Sequence, residues 1–120
     1  MSSDLHTPLQ ELVERHASIA GAIFADLDGQ MIASHPASMA DALSHCAVFS
    51  GIALRRMTVA ERLAGRAVIK EVNLTGSDGA ITATVVSDQN QLVVLYEGGR
   101  AIARNAAQVR AVADYLHTKT

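Results

Sequence analysis

Apolar residues recur along the chain at two periods, one helical and one alternating or continuous as in strands, and their succession lays out the elements in order. Thr7, Pro8 and Gln10 have the form of a capping box with proline at the first helical position. Leu9, Leu12, Val13, His16 and Ala20 then keep helical spacing and predict a short amphipathic helix. Ile19 to Ala25 is a continuous apolar run, Asp28-Gly29 supplies a tight turn, and Met31 to Ser34 returns, which predicts a β-hairpin. Pro36 ends the second strand, and Ser38 with Asp41 three residues later signals the start of a long helix, Met39 to Ala64, closed by Gly65. Ala67 to Thr75, Ala80 to Ser87 and Gln91 to Tyr96 read as three strands joined by hairpin-sized gaps, hence antiparallel. Ile102, Ala106, Val109, Ala113 and Leu116 recur at steps of three and four and predict a closing helix. The order α-β-β-α-β-β-β-α is that of an α+β domain.

The long helix has more apolar surface than one sheet can bury. Met39, Leu43, Cys46, Ala53, Leu54 and Met57 gather on one side, while Val48, Ile52, Val59 and Leu63 form a second stripe. Burying one Val, Leu or Ile side chain is worth roughly 1.5–3 kcal/mol, so the second stripe predicts a partner. The alternative is a helix broken near Thr58, since Thr58-Val59-Ala60-Glu61 is itself a capping box. Gly51 in mid-helix costs about 1 kcal/mol relative to alanine, which a close crossing by another helix would offset.

Composition narrows the classes. The 120 residues make one domain, and at 49% hydrophobic but 3% aromatic the core must be built from Ala, Val, Ile and Leu. A net charge of -2 argues against a protein devoted to phosphate-driven nucleic-acid binding. The lone Cys46 has no internal disulfide partner, the first residues lack a basic region followed by an apolar run, and no apolar stretch reaches the ~18 residues that span a bilayer. A cytoplasmic protein without membrane insertion is the expectation.

Ile19 to Ser34, an apolar strand, Asp26-Leu27-Asp28-Gly29 and a second apolar strand ending Ala33-Ser34, resembles the opening hairpin of the roadblock/LC7 family. Glu71 to Ala80 and Gln91 to Tyr96 are similar to that family's third and fifth strands, so the resemblance covers almost the whole chain. It implies a five-stranded antiparallel sheet with the long helix on one face and the two terminal helices on the other. It also implies dimers in which long helices pack together and third strands pair edge to edge, which would add Lys70, Val72 and Leu74 to Val48, Ile52, Val59 and Leu63 in a homodimer interface. The family's members regulate or scaffold small Ras-like GTPases, with dynein light-chain roles among relatives. The function implied is therefore a non-catalytic, cofactor-free homodimeric regulator of a small GTPase. The alternative is an assembly or tethering subunit with no GTPase partner.

Other constellations are weaker. Ile23 to Gly29 resembles the first motif of haloacid-dehalogenase-type phosphatases, in which two aspartates work beside Mg²⁺. Gln30 stands where that motif has threonine, and no later acidic motif completes a metal site. A hairpin turn explains the same residues. His45 and Cys46 point about 100° apart on a helix and lie in no metal-binding spacing, so Cys46 reads as a buried thiol. Gly98-Gly99 lacks the remainder of a phosphate-binding loop. Arg55, Arg56, Arg62, Arg66 and Lys70 place positive charge at the end of the long helix and beyond. One reading is that these cations complement the negative end of the helix dipole, for ~0.3–1 kcal/mol each. In the functional reading, Arg55, Arg56 and Arg62 border the paired helices and steer an acidic partner surface.

Overall fold

A computed structural model describes residues 4–63, 65 and 70–120, except for the side chains of Glu61 and Leu63. The elements run α1 (His6–Arg15), β1 (Ile19–Asp26), β2 (Met31–His35), a 3-10 turn (Ala37–Met39), α2 (Ala40–Leu63), β3 (Glu71–Thr75), β4 (Ala80–Ser87), β5 (Asn90–Tyr96) and α3 (Arg100–His117). The strands form one antiparallel sheet in the order β2-β1-β5-β4-β3. The two hairpin units thus meet at β1 and β5, where Ala22 faces Val94 and Phe24 faces Leu92 across the ladder. β2 and β3 are left as the edges.

Side-chain alternation splits the core into two layers. Phe24, Leu92, Val94 and Tyr96 point to one face, where α1 contributes Leu9 and Leu12 and α3 contributes Val109, Ala113 and Leu116. Ile23, Ala25, Ala83 and Val93 point to the other, under Leu43, Ala47 and Leu54 of α2. The long helix therefore covers one face alone and the terminal helices share the other, as the order of elements and the resemblance imply.

Several local expectations are corrected. α1 begins one residue before Thr7, and no side chain caps it at Leu5. The Asp4 carboxylate instead accepts the Thr7 N–H at 2.9 Å, and hydrogen bonds from Thr7 hold its pKa below the ordinary value. Ser38 lies inside the 3-10 turn, where Pro36 rather than a hydroxyl precedes the first turn. α2 is continuous through Thr58, so the broken-helix alternative falls. Ala64, Arg66 and the expected strand residues 67–69 lie outside the described part.

Gly51 is close to the β1–β2 turn and not to another helix. A Cβ there would overlap the Leu27 carbonyl oxygen and lie 3.1 Å from the Gln91 amide nitrogen. Backbone approaches backbone here, and only glycine leaves the room. The window Ala37–Ala60 reaches a mean hydropathy of 1.3, long and apolar enough to cross a bilayer by length and composition, contrary to expectation from the sequence. Only 28% of that window is buried, and the surplus is the outward side of α2.

Candidate interaction face

The outward side of α2 carries exposed apolar residues from Val48 to Val59, interrupted by Arg55 and Arg56 and bounded by His45 and Arg62. Val48, Ile52 and Val59 are exposed, as the second stripe requires, and Phe49 beside them is 70% exposed, more than any other large apolar side chain described. Phe49 escaped the sequence reading because it falls between the two stripes. Its aromatic bulk, one of two phenylalanines in the chain, was the available signal. Met57, expected on the core side, is also exposed. The stripe that does face the sheet is Leu43, Ala47, Ser50 and Leu54, with Cys46 half-buried at its margin. Burial raises the Cys46 pKa, leaving a neutral thiol.

The edge strand β3 continues this surface. Leu74 is exposed, whereas Val72, two residues earlier on the same face, packs into the core beneath α2. The register turns the backbone of Val72 toward β4 as well, so at this edge it is Glu71, Asn73 and Thr75 whose backbone groups face outward. Lys70 is exposed just before the strand, and its carbonyl accepts the Val85 N–H at 2.8 Å. The Leu63 side chain is outside the described part.

What anchors α2 against the sheet is polar, and nothing in the spacing announced it. Gln91 is fully buried and uses both ends of its amide. Its oxygen accepts from Ser50 Oγ at 2.6 Å, while its nitrogen donates to the Ala47 carbonyl at 2.8 Å and the Asp26 carbonyl at 3.1 Å. One side chain of β5 thus joins α2 to the end of β1, with its polar atoms satisfied.

The β1–β2 turn presses on the same helix. Asp26 Oδ1 accepts the N–H groups of Asp28 and Gln30, both at 2.9 Å, and Gly29 takes a φ of 89°. The Asp28 carboxylate pairs with Arg55. Both aspartates of the phosphatase-like motif are thereby engaged in shaping and anchoring a turn. Among the described residues, no group of three or more His, Cys, Asp or Glu side chains is placed to share a metal ion. Two of the three arginines come together: Arg55, tied to Asp28, and Arg62 both line a groove of about 450 Å³ with Leu27, Leu54 and Val85, while Arg56 is exposed outside it.

The layered sheet, the long helix alone on one face and the open β3 edge specify the architecture closely enough to compare. Myxococcus xanthus MglB superposes over 97% of this chain and 94% of its own with a TM-score of 0.78 at 17% identity. A roadblock/LC7 domain from Streptomyces avermitilis covers 95% and 98% with a TM-score of 0.71 at 22% identity. The chain has the roadblock/LC7 fold. Acanthamoeba castellanii profilin II, at a TM-score of 0.56 and 16% identity over 97% and 98%, shares the broader profilin-like arrangement, and the higher scores place the roadblock/LC7 fold nearer. No protein-family model and no curated protein matches the sequence. At these identities the roadblock/LC7 likeness is one of fold, with the exposed face of α2 as its unpartnered surface.

Proposed function

We propose that this chain is a non-catalytic, cytoplasmic homodimer that regulates or scaffolds a small Ras-like GTPase. The observation that carries the dimer is the run of exposed Val48, Phe49, Ile52 and Val59 along α2, beside the open edge of β3. A two-fold contact of helix on helix and edge on edge would bury both at once. That surface is used by the dimer and argues nothing for the GTPase. The GTPase rests on the roadblock/LC7 resemblance and on the fold shared with MglB. Arg56 and Arg62, exposed beside the apolar stripe, supply charge that an acidic partner surface would meet.

Capture from native cytosol on the immobilised protein, in the presence of GDP or a non-hydrolysable GTP analogue, tests the reading. Enrichment of a Ras-like protein that depends on the nucleotide supports it. Enrichment of other proteins regardless of nucleotide would leave the tethering subunit as the function.

A further inference from the structure

On the side of the sheet covered by α1 and α3, the connection from α1 to β1 meets the end of β5 and the first turns of α3 around an open cavity of about 410 Å³. His16, Ala17, Ser18, Glu97, Arg104 and Asn105 line it. Backbone hydrogen bonds hold its walls. The Ile19 N–H donates to the His16 carbonyl at 2.9 Å and closes a turn, and the Glu97 N–H donates to the Ser18 carbonyl at 3.0 Å and ties that turn to β5. The lining is therefore organised before any ligand arrives, which spares a ligand the cost of ordering it.

Asn105 is the buried member of this lining, only 4% exposed. Its amide nitrogen donates to Ser18 Oγ at 3.0 Å and to the Ala101 carbonyl at 2.8 Å. A carbonyl only accepts, so the nitrogen must take that side and the orientation of the amide is fixed. Both of its N–H groups are then used, while Oδ1 accepts nothing from the described residues. Ser18 Oγ accepts from Asn105 and keeps its own proton to donate. His16 follows the same logic. Its Nδ1 lies 2.9 Å from the Leu12 carbonyl and must be the nitrogen that carries the proton, which leaves Nε2 of the neutral ring as an acceptor.

Charge completes the inventory. Glu97 and Arg104 are both exposed at the rim, and neither enters an ion pair among the described residues although they line one cavity. The acceptors are thus Asn105 Oδ1, His16 Nε2 and the Glu97 carboxylate, and the donors are Ser18 Oγ–H and the Arg104 guanidinium. A simple anion would leave the acceptors without donors and meet Glu97, and a simple cation would meet Arg104. A ligand carrying both charges satisfies both sets. An ammonium brings three N–H donors, and a carboxylate fits the fork of an arginine. Ala17 is the one apolar residue in the described lining, so a large side chain would gain little here.

We propose that this cavity binds a small zwitterion, a free α-amino acid with a short side chain, its ammonium toward Asn105 Oδ1, His16 Nε2 and Glu97 and its carboxylate toward Arg104 and Ser18. The volume lies in the lower part of the roughly 300–1,000 Å³ range of small-molecule sites. The site shares no residue with the exposed face of α2 and draws on neither the dimer nor the GTPase reading.

Titration of the nitrogen-15-labelled full chain with glycine at pH 7, followed by two-dimensional NMR, tests the site. Glycine should shift the Asn105 side-chain amide and the backbone amides of Ser18 and Glu97 saturably. Glycinamide, which lacks the carboxylate, and acetate, which lacks the ammonium, should each bind at least about tenfold more weakly, since each forfeits one set of charge-assisted hydrogen bonds. Arg104→Gln should weaken glycine to the level of glycinamide, and Glu97→Gln should weaken it by a similar factor. Both side chains are exposed, so the fold should survive, and unchanged amide shifts away from the cavity check that it does. The proposal is overturned by the absence of saturable shifts at these amides, by equal affinity for the three probes, or by glycine binding indifferent to either substitution.

Discussion

Gly51 of α2 lies against the carbonyl of Leu27 so closely that a single added methyl group would occupy the oxygen's place. Gly51→Ala pits two effects against each other. Alanine favours the helix by about 1 kcal/mol over glycine. Here it also drives two backbones apart, and overpacking of this kind costs ~1–3 kcal/mol or more. Because the obstacle is a carbonyl in a turn held by Asp26, and not the end of a flexible side chain, the second effect should win. We expect a lower urea midpoint with an unchanged slope. A midpoint equal to or above that of the unaltered protein would show that the turn yields freely.

The buried amide of Gln91 leads to a graded pair of substitutions. Ser50→Ala removes one donor and leaves the Gln91 oxygen unpaired, for a loss of about 1–3 kcal/mol. Gln91→Leu keeps the volume but leaves Ser50 Oγ only its 3.3 Å bond to the Ala47 carbonyl and removes the donor to the Ala47 and Asp26 carbonyls, so it should cost more. Both are read by chemical denaturation. Equal losses would mean that the Ser50–Gln91 bond accounts for the whole effect and the amide's bonds to the Ala47 and Asp26 carbonyls for none.

For the exposed face, solution mass decides. The protein should run as a dimer, and Ile52→Glu should make it monomeric while retaining its circular dichroism spectrum, since Ile52 makes no part of the monomer's core. Phe49→Ser should weaken the dimer as well, because a phenylalanine buried in an interface is worth roughly 1.5–3 kcal/mol. A monomer in both the unaltered and substituted proteins would remove the dimer from the proposed function.

The parts of this fold that repeat were legible in the sequence. β4 runs from Ala80 to Ser87 as its apolar run predicts, and α2, β1 and β5 differ from expectation by a residue or so at the ends described. Periodicity reports which residues share a face, and that suffices for elements and layers. It does not report what crosses between elements. Gln91 is the second residue of β5 and Ser50 sits mid-helix, 41 residues apart, and only the folded chain brings them together. Gly51 was visible as an anomaly, but its neighbour, a carbonyl from a turn 24 positions earlier, was not. Capping failed for a related reason. The Thr7 motif matched a pattern that several overlapping polar residues could satisfy, and Asp4 does so from outside it.

Tyr96 supplies the last prediction. Its ring is buried against the layer formed with α1 and α3, and its hydroxyl finds no hydrogen-bond partner among the described residues. Thr82 lies near enough to that hydroxyl to offset a little of the effect of burial on its pKa, but its Oγ1 donates to Asn73 Oδ1 at 2.7 Å and makes no hydrogen bond with Tyr96. A buried hydroxyl without a partner costs about 1–3 kcal/mol, whereas the ring's packing survives its removal. Tyr96→Phe should therefore leave stability unchanged or raise it by ~1 kcal/mol at neutral pH. Burial also raises the Tyr96 pKa, so the folded state holds its proton after the unfolded chain has released it. That contribution is complete below the ordinary tyrosine value near 10 and is lost as pH rises through the folded value. The advantage of the phenylalanine variant should accordingly widen in alkali. Denaturation at pH 7 and pH 10.5 measures both effects, and a variant less stable than the parent at neutral pH would mean that the hydroxyl is bonded after all, through water.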